Sequence, residues 1–339
     1  MKFKKLLILV LAAAVLVLLN VLKKFETDKD RSAHDRDARA TVRLVQAEIT
    51  PAFVDRVSIR KGGAGGDELT LVKPDGEWRI ESRFGARAGS GQVENLIRKL
   101  SEARGEPRTD SADVLGDFLL REDQAYQISI SAKGSDLARV LVSPKRSSPT
   151  ENFARTAGSN RIFSTDTDFL SVLGIYAEGS KLDYKVFADL RVVPADVSKV
   201  TRIAASPAKG ADVLLVKKEG SGPAEWHFDS DAGPDADTAK VNEFLSGVTN
   251  LFANDALDPA GTDYGFDENK VWLSLTESKD GKTAEYRLLL GSRSAGAVHL
   301  KSLPEARVFE VAEAGVDSLL ARDKASFVPA PAPAAPASS

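Results

Sequence analysis

The sequence predicts an α+β protein in which an N-terminal transmembrane helix precedes two tandem repeated α+β units. Three observations lead to this prediction. A long uncharged run occupies Leu6–Leu22, and short motifs recur along the rest of the chain at an offset of 143 to 148 residues. Each copy of the motifs alternates strand-like runs with an amphipathic helix, which is the pattern of antiparallel strands combined with a helix.

The apolar run Leu6–Leu22 predicts an uncleaved membrane anchor. Its 17 residues carry no charge and are flanked by lysines on both sides. A helix of this length covers roughly 25 Å, and flanking lysines can reach the headgroups of a slightly thicker bilayer. A cleaved signal peptide is the alternative, but it has a shorter apolar region that ends in a small-x-small cleavage site. We therefore expect an anchor at residues 1–24 and a polar stalk and entry segment at residues 25–49.

Charge argues against nucleic acid as a partner and places the body of the protein outside the cytoplasm. The chain has 46 basic and 49 acidic residues, and the charged residues before Phe25 are all lysines. The acidic remainder lacks the basic surface that binds phosphate backbones. A short basic N-terminus favours the cytoplasmic side. The expected location is a single pass through the bacterial inner membrane, with the body on the extracytoplasmic, periplasmic side.

The repeat sets the expected domain boundaries. Five matches keep the same order in both copies, which predicts a first α+β repeat at 50–175, a linker at 176–193 and a second repeat at 194–327. The matches include Pro51–Val57 with Pro194–Val200, Glu77–Ile80 with Glu225–Phe228, and Arg161–Phe163 with Arg307–Phe309. The proline-rich residues 328–339 are expected to form a disordered tail.

Strands and helices are predicted in the same order in each copy. Hairpins are expected at Lys133-Gly134-Ser135 and at Asp280-Gly281-Lys282, because glycine adopts positive φ without steric cost. The i, i+3, i+4, i+7 spacing predicts one buried helical face in each copy. The first face is Val93, Leu96, Ile97 and Leu100, and the second is Val241, Phe244, Leu245, Val248, Leu251 and Phe252, with Ser90 and Asp237 as N-caps.

Trp78 and Trp226 occupy equivalent positions in the two copies. They could form a pair of aromatic binding platforms or one core residue for each copy. The core interpretation is favoured, because a fold needs its core in both copies whereas a site is needed once.

No motif predicts a catalytic, cofactor-binding or metal-binding residue. The chain contains no cysteine, which excludes disulfides and thiolate chemistry. Gly281-Lys282-Thr283 lacks the first glycine of a phosphate-binding loop, and the acidic segment 229–240 lacks the ligands and the turn glycine of a calcium loop. No motif surrounds His34, His227 or His299. We expect no enzyme and no cofactor, although a carboxylate-based enzyme would have no motif to find.

The motifs resemble the bacterial domain-of-unknown-function 4340 family over roughly residues 50 to 327. The resemblance rests on Val54–Ile59, Lys73–Ile80, Tyr264–Asp267, Leu288–Gly291 and Arg322–Lys324, with Asn269 where proline is usual. It implies a membrane-anchored extracytoplasmic protein, often encoded beside ABC-transporter components of the gliding-motility type. It implies no catalytic residue.

These observations predict a membrane-anchored extracytoplasmic accessory or interaction protein, associated with an ABC-type transport or cell-envelope complex. Its expected partners are the lipid bilayer, through Leu6–Leu22, and a membrane protein of the ABC-transporter type. The alternative is a binding module for a small ligand or an envelope polymer in a groove between the repeats.

Overall fold

The structure, a computed structural model, describes residues 41–330 except 64, 178, 219–224, 231–232, 268–269 and 280. The predicted anchor Leu6–Leu22, residues 25–40 of the predicted stalk and residues 331–339 of the predicted tail lie outside the described residues. Asp280 of the second predicted hairpin lies outside them as well.

Ten strands and two α-helices precede residue 175 in the described part of the chain. The strands are β1 (Val42–Arg43), β2 (Arg56–Lys61), β3 (Glu68–Val72), β4 (Arg79–Ile80), β5 (Ala86–Arg87), β6 (Arg104–Thr109), β7 (Tyr126–Ala132), β8 (Ser135–Ser148), β9 (Glu151–Thr156) and β10 (Ile162–Thr165). The helices are α1 (Ser90–Glu102) and α2 (Phe169–Val172).

Eight strands and two α-helices follow in the described residues after 190. The strands are β11 (Val200–Ala205), β12 (Val213–Lys217), β13 (Trp226–Phe228), β14 (Ala253–Leu257), β15 (Val271–Lys279), β16 (Lys282–Ser294), β17 (Ala297–Leu303) and β18 (Arg307–Ala312). The helices are α3 (Thr238–Thr249) and α4 (Glu313–Leu320).

The strands form two sheets with the same internal order. One sheet runs β1-β6-β10-β9-β8-β7-β2-β3-β4-β5, and the other runs β13-β12-β11-β15-β16-β17-β18-β14. Eight strands of the first sheet lie in the order β6-β10-β9-β8-β7-β2-β3-β4. The second sheet, read from its other edge, has the matching order β14-β18-β17-β16-β15-β11-β12-β13. The recurring motifs of the sequence therefore correspond to a recurring strand topology.

The predicted fold class of two α+β repeats is wrong; the transmembrane helix predicted before them, Leu6–Leu22, lies outside the described residues. The described chain is mostly β-sheet, in two large antiparallel sheets. Strands such as β6 (RGEPRT) and β9 (ENFART) lack apolar alternation, and they form because neighbouring strands satisfy their backbone hydrogen bonds. None of the helices in the described residues is long and apolar enough to cross a bilayer.

Contacts between residues divide the described chain into two compact units. The first unit contains residues 41–70 and 91–183, and the second contains residues 71–90 and 184–330. The hairpin of β4 and β5 thus belongs to the second unit, together with the whole eight-stranded sheet.

Local sequence signals predicted several elements correctly. All four residues of the predicted face of α1 are buried, and Val241, Phe244, Leu245 and Val248 are buried on α3. Asp237 accepts hydrogen bonds from the backbone N–H groups of Ala239 and Lys240, which confirms it as an N-cap. Phe252 was wrongly placed on the buried face, because α3 ends at Thr249 and the ring is 55% exposed.

Both predicted hairpins form. Ala132 pairs with Ser135 across Lys133-Gly134, and Lys279 pairs with Lys282 across the second turn. Gly134 and Gly281 have φ values of 77° and 73°, so each turn uses the positive φ that glycine adopts without strain.

Candidate functional site

A cleft of about 420 Å³ lies within the second unit. Its walls come from the β4–β5 hairpin, from the segment that follows residue 187, from β16 and from the turn after β17. Charged and aromatic side chains dominate these walls. We call it the charged cleft, and its principal residues are Trp78, Arg87, Asp189, Arg191, Tyr286 and Glu305.

Glu305, in the turn between β17 and β18, joins three arginines. Arg79 donates to both of its carboxylate oxygens, from Nη1 at 3.2 Å and from Nη2 at 3.1 Å. Arg307 donates to it through Nε, and also donates from Nη1 to the backbone oxygen of Gly85 at 2.7 Å. Arg87 Nη1 lies farther away, 3.8 Å from Glu305 Oε2. Glu305 thereby ties the β4–β5 hairpin to the turn after β17.

Asp189 and Arg191 form a second ion pair in the cleft. The Arg191 guanidinium donates from Nε at 2.9 Å and from Nη2 at 2.8 Å, and the backbone N–H of Arg191 donates at 3.2 Å. Burial alone would raise the pKa of Asp189, but the hydrogen bonds from Arg191 outweigh burial and hold the pKa below its usual value. This carboxylate therefore stays ionised at neutral pH.

Arg87, at the end of β5, is held less closely than the other arginines of the cleft. Its Nε lies 4.0 Å from Asp189 Oδ2, and its Nη2 donates to the backbone oxygen of Arg191. Burial lowers the pKa of Arg87, although the charges of Asp189 and Glu305 act in the opposite direction. The side chain is 13% exposed. Arg87 is therefore a nearly buried cation whose ion pairs with Asp189 and Glu305 are long.

Tyr286 contributes a neutral hydroxyl to the wall of the cleft. Its hydroxyl donates to Glu277 Oε2 at 3.1 Å. Burial, followed by the negative charge of Glu277, raises the pKa of Tyr286 to about 12. The phenol remains protonated at neutral pH and adds no negative charge to the cleft.

Trp78 and Trp226 are both 1% exposed, which confirms that each is a core residue. Trp78 also contributes to the wall of the charged cleft. The indole Nε1 atoms of both residues are buried and have no hydrogen-bond partner in the described chain. The two rings therefore stabilise the fold through apolar packing rather than through hydrogen bonds.

The turn between β4 and β5 presents an exposed phenylalanine. This segment, residues 81–85, is called the Phe84 turn. Phe84 has a φ of 52°, a left-handed conformation that is strained for a bulky side chain, and Gly85 follows with a φ of 65°. The Phe84 side chain is 46% exposed. Strain of this kind persists only where surrounding contacts hold the backbone in place.

Arg83 supplies those contacts beside Phe84. Its guanidinium carbon lies 5.2 Å from the centre of the Phe84 ring and 4.8 Å from the centre of the Tyr184 ring. Its Nη2 donates to Asp255 Oδ1 at 2.7 Å. The Phe84 turn is thus fixed by Arg83 on one side and by the bond from Arg307 to Gly85 on the other.

Tyr184 joins the same group of residues at the edge of the eight-stranded sheet. Its hydroxyl donates to Asp255 and accepts from the backbone N–H of Ala256 at 2.9 Å. Burial raises the pKa of Tyr184 above its usual value. Because β14 is the outermost strand of this sheet, the hydroxyl bonds a backbone donor of an edge strand.

The histidines considered in the sequence as catalytic or metal-binding candidates do not form a common site in the described chain. His227 lies in β13, with Nδ1 3.1 Å from the oxygen of Gly233 and from Asp235 Oδ1. His299 lies in β17, with Nδ1 3.0 Å from Ser292 Oγ. His34 lies outside the described residues. Within the described chain, no group of three or more acidic or histidine side chains is arranged to hold a metal ion.

Two of the motifs behind the family resemblance contact each other. The backbone N–H of Ser292 donates to the oxygen of Tyr264 at 2.6 Å, just after the Leu288–Gly291 segment. A β-carbon at Gly291 would lie 2.3 Å from the same oxygen. The Tyr264–Asp267 segment therefore packs on β16 at a place that requires glycine.

The sequence patterns predict neither the charged cleft nor the Phe84 turn. The repeat motifs contain Glu77, Trp78 and Pro194 of the cleft, but they do not indicate that these residues meet. Arg79, Arg87, Asp189 and Glu305 are ordinary charged residues in sequence, and they meet only through the fold. The one available signal was Gly85 after an apolar residue, which indicates a tight turn at Phe84.

The described chain is a mostly β protein with two large antiparallel sheets of matching strand order, and its second unit contains the charged cleft. A family model described as Domain of unknown function (DUF4340) matches residues 78–257, and the chain belongs to this family. This confirms the family resemblance of the sequence. Comparisons with curated proteins and with solved structures find no match.

Proposed function

We propose that this protein is a non-catalytic accessory or interaction subunit at the extracytoplasmic face of a bacterial membrane. Its partner would be a membrane protein of an ABC-type transport or cell-envelope complex. The observation that carries this proposal is the Phe84 turn, which presents a large, half-exposed apolar side chain to solvent.

The Phe84 turn has the properties of a protein-binding anchor. Aromatic residues and arginines contribute disproportionately to interface energies. A side chain that is already fixed loses less conformational entropy on binding. Phe84 is fixed by backbone geometry and by Arg83, while Arg83 is itself held by Asp255. The strained backbone at Phe84 and the exposure of its ring both lower the stability of the fold, and packing does not require either of them. Binding of a partner would account for both.

The membrane location rests on the sequence. The uncharged run Leu6–Leu22 provides an apolar segment that holds the chain at the bilayer, and the lysines before it favour the cytoplasmic side. The body would then lie on the periplasmic side. The family resemblance supports the association with transporter components.

Photo-crosslinking from position 84 tests the docking surface. The full chain with p-benzoylphenylalanine in place of Phe84 is irradiated in intact cells, and its adducts are identified. We expect one dominant adduct with a membrane protein of a transport or envelope complex, because the turn would insert its aromatic ring into that partner. Phe53 provides the matched control, since it is an exposed phenylalanine of the first unit at 73% exposure.

The same photoreactive residue at position 53 should not give this adduct. Phe84→Ala should also reduce copurification of the partner while changing the free energy of unfolding by less than about 1 kcal/mol, as is usual for exposed side chains. An absence of adducts at position 84, or the same adducts from both positions, would contradict docking through the Phe84 turn.

A further inference from the structure

The charged cleft contains a cation whose counter-ions are out of hydrogen-bonding distance. Arg79 and Arg191 contact their carboxylates at 2.8 to 3.2 Å. Arg87 instead lies 3.8 Å from Glu305 and 4.0 Å from Asp189, beyond the usual range of an N–H···O bond. The closest contacts of both carboxylates are with other arginines, so Arg87 has only long ion pairs with them.

Arg87 is also incompletely hydrogen-bonded. Its Nε is buried without a partner in the described chain, and its Nη2 is bonded to a neutral backbone oxygen. Burying a guanidinium whose contacts with carboxylates are long is unfavourable, and burial accordingly lowers the pKa of Arg87. A neutral side chain of similar length would avoid this penalty. The arginine is therefore poorly explained as a structural residue.

The surroundings of Arg87 suit a small anionic ligand. The cleft volume of about 420 Å³ lies within the range of small-molecule sites. The lining contains three carboxylates (Glu77, Asp189 and Glu305) and two guanidiniums (Arg87 and Arg191), and the guanidiniums of Arg79 and Arg307 contact Glu305. Tyr286 stays protonated, and Trp78 with Pro194 adds an apolar wall beside the arginine.

We propose that the charged cleft binds a small ligand through an oxyanion, either a carboxylate or a phosphate, that pairs with the Arg87 guanidinium. A bound oxyanion would replace two long contacts with short, charge-assisted hydrogen bonds. Pro194, in the lining beside Trp78, would contact the apolar part of the ligand. This proposal concerns a site separate from the Phe84 ring, and it stands whether or not the Phe84 turn docks to a partner.

Ligand-dependent thermal unfolding of the detergent-solubilised full chain tests the oxyanion site. The probes are N-acetylalanine, its neutral amide, and inorganic phosphate. We expect N-acetylalanine or phosphate to raise the unfolding midpoint in a saturable manner, while the amide leaves it unchanged. Arg87→Gln should weaken this binding by about ten- to a hundredfold, since hydrogen bonds to charged groups contribute in that range.

Arg139→Gln is the matched control. Arg139 is a half-exposed arginine of the first unit, paired with Asp136 at 3.0 Å, and its loss should leave the midpoint shift unchanged. A shift from N-acetylalanine alone would assign the site to carboxylates, and a shift from phosphate alone would assign it to phosphates. Without ligand, Arg87→Gln should unfold at the wild-type midpoint or above it.

Three results would overturn the oxyanion site. The first is that neither anion shifts the wild-type midpoint. The second is that Arg87→Gln responds to the anions as the wild type does. The third is that the neutral amide shifts the wild type as much as N-acetylalanine does, and this comparison decides the question even if Arg87→Gln fails to fold.

Discussion

Replacing Trp78 or Trp226 with alanine should lower the free energy of unfolding by about 3–5 kcal/mol, the usual cost of truncating a buried aromatic residue. Each indole is 1% exposed, so its removal leaves a cavity and forfeits the apolar surface that the ring buries. Urea unfolding of the two variants, followed by circular dichroism, measures the change.

Phenylalanine substitutions refine this prediction. Because both indole Nε1 atoms lack a hydrogen-bond partner among the described residues, Trp78→Phe and Trp226→Phe should cost less than the alanine changes. Phe53→Ala, at an exposed site, should change the free energy of unfolding by less than about 1 kcal/mol. Alanine variants of the tryptophans as stable as Phe53→Ala would contradict their role in the core.

Gly291→Ala should be the second strongly destabilising change, by about 1–3 kcal/mol, because the new methyl group overpacks a filled space. Its β-carbon would lie 2.3 Å from the backbone oxygen of Tyr264 and 2.8 Å from the ring of Phe266. The backbone of Tyr264 would have to move, and its hydrogen bond from Ser292 would weaken. Urea unfolding measures this change in the same way.

Gly91→Ala is the matched control for Gly291→Ala. A β-carbon at Gly91 meets nothing within 4 Å, and the residue lies in α1. Alanine should therefore leave stability unchanged or raise it by up to about 1 kcal/mol. Equal effects of the two substitutions would mean that Tyr264 does not pack against Gly291.

Elements that depend on local chemistry could be predicted from the sequence. The faces of α1 and α3 follow from apolar spacing, the N-cap at Asp237 follows from its side-chain oxygen, and the turn at Lys133-Gly134 follows from positive φ. Each of these signals lies within a few residues of the element that it determines, so these elements do not depend on contacts between distant residues.

The fold class could not be predicted because it depends on pairings between distant residues. Within β6, Gly105 and Pro107 argue locally against a strand, yet β10 supplies the hydrogen bonds that make it one. Strands of this kind add to the two sheets, and the described chain is therefore mostly β-sheet rather than α+β.

The charged cleft was hidden for the same reason. Arg87 and Glu305 are separated by more than two hundred residues in sequence, and Asp189 lies in a segment without periodic pattern. Their individual residue types are common on protein surfaces. The poor pairing of Arg87 appears only when the distances to both carboxylates are known.

The location of the body is the most direct test of the proposed accessory function. In bacterial cells that produce the full chain, we expect the protein in the membrane fraction after high-salt washing, because Leu6–Leu22 would hold it there. Protease added outside the inner membrane of spheroplasts should digest the body, and a chain lacking residues 6–22 should leave the membrane fraction. Recovery of the full chain in the soluble cytoplasmic fraction, or protection of its body from external protease, would contradict the account.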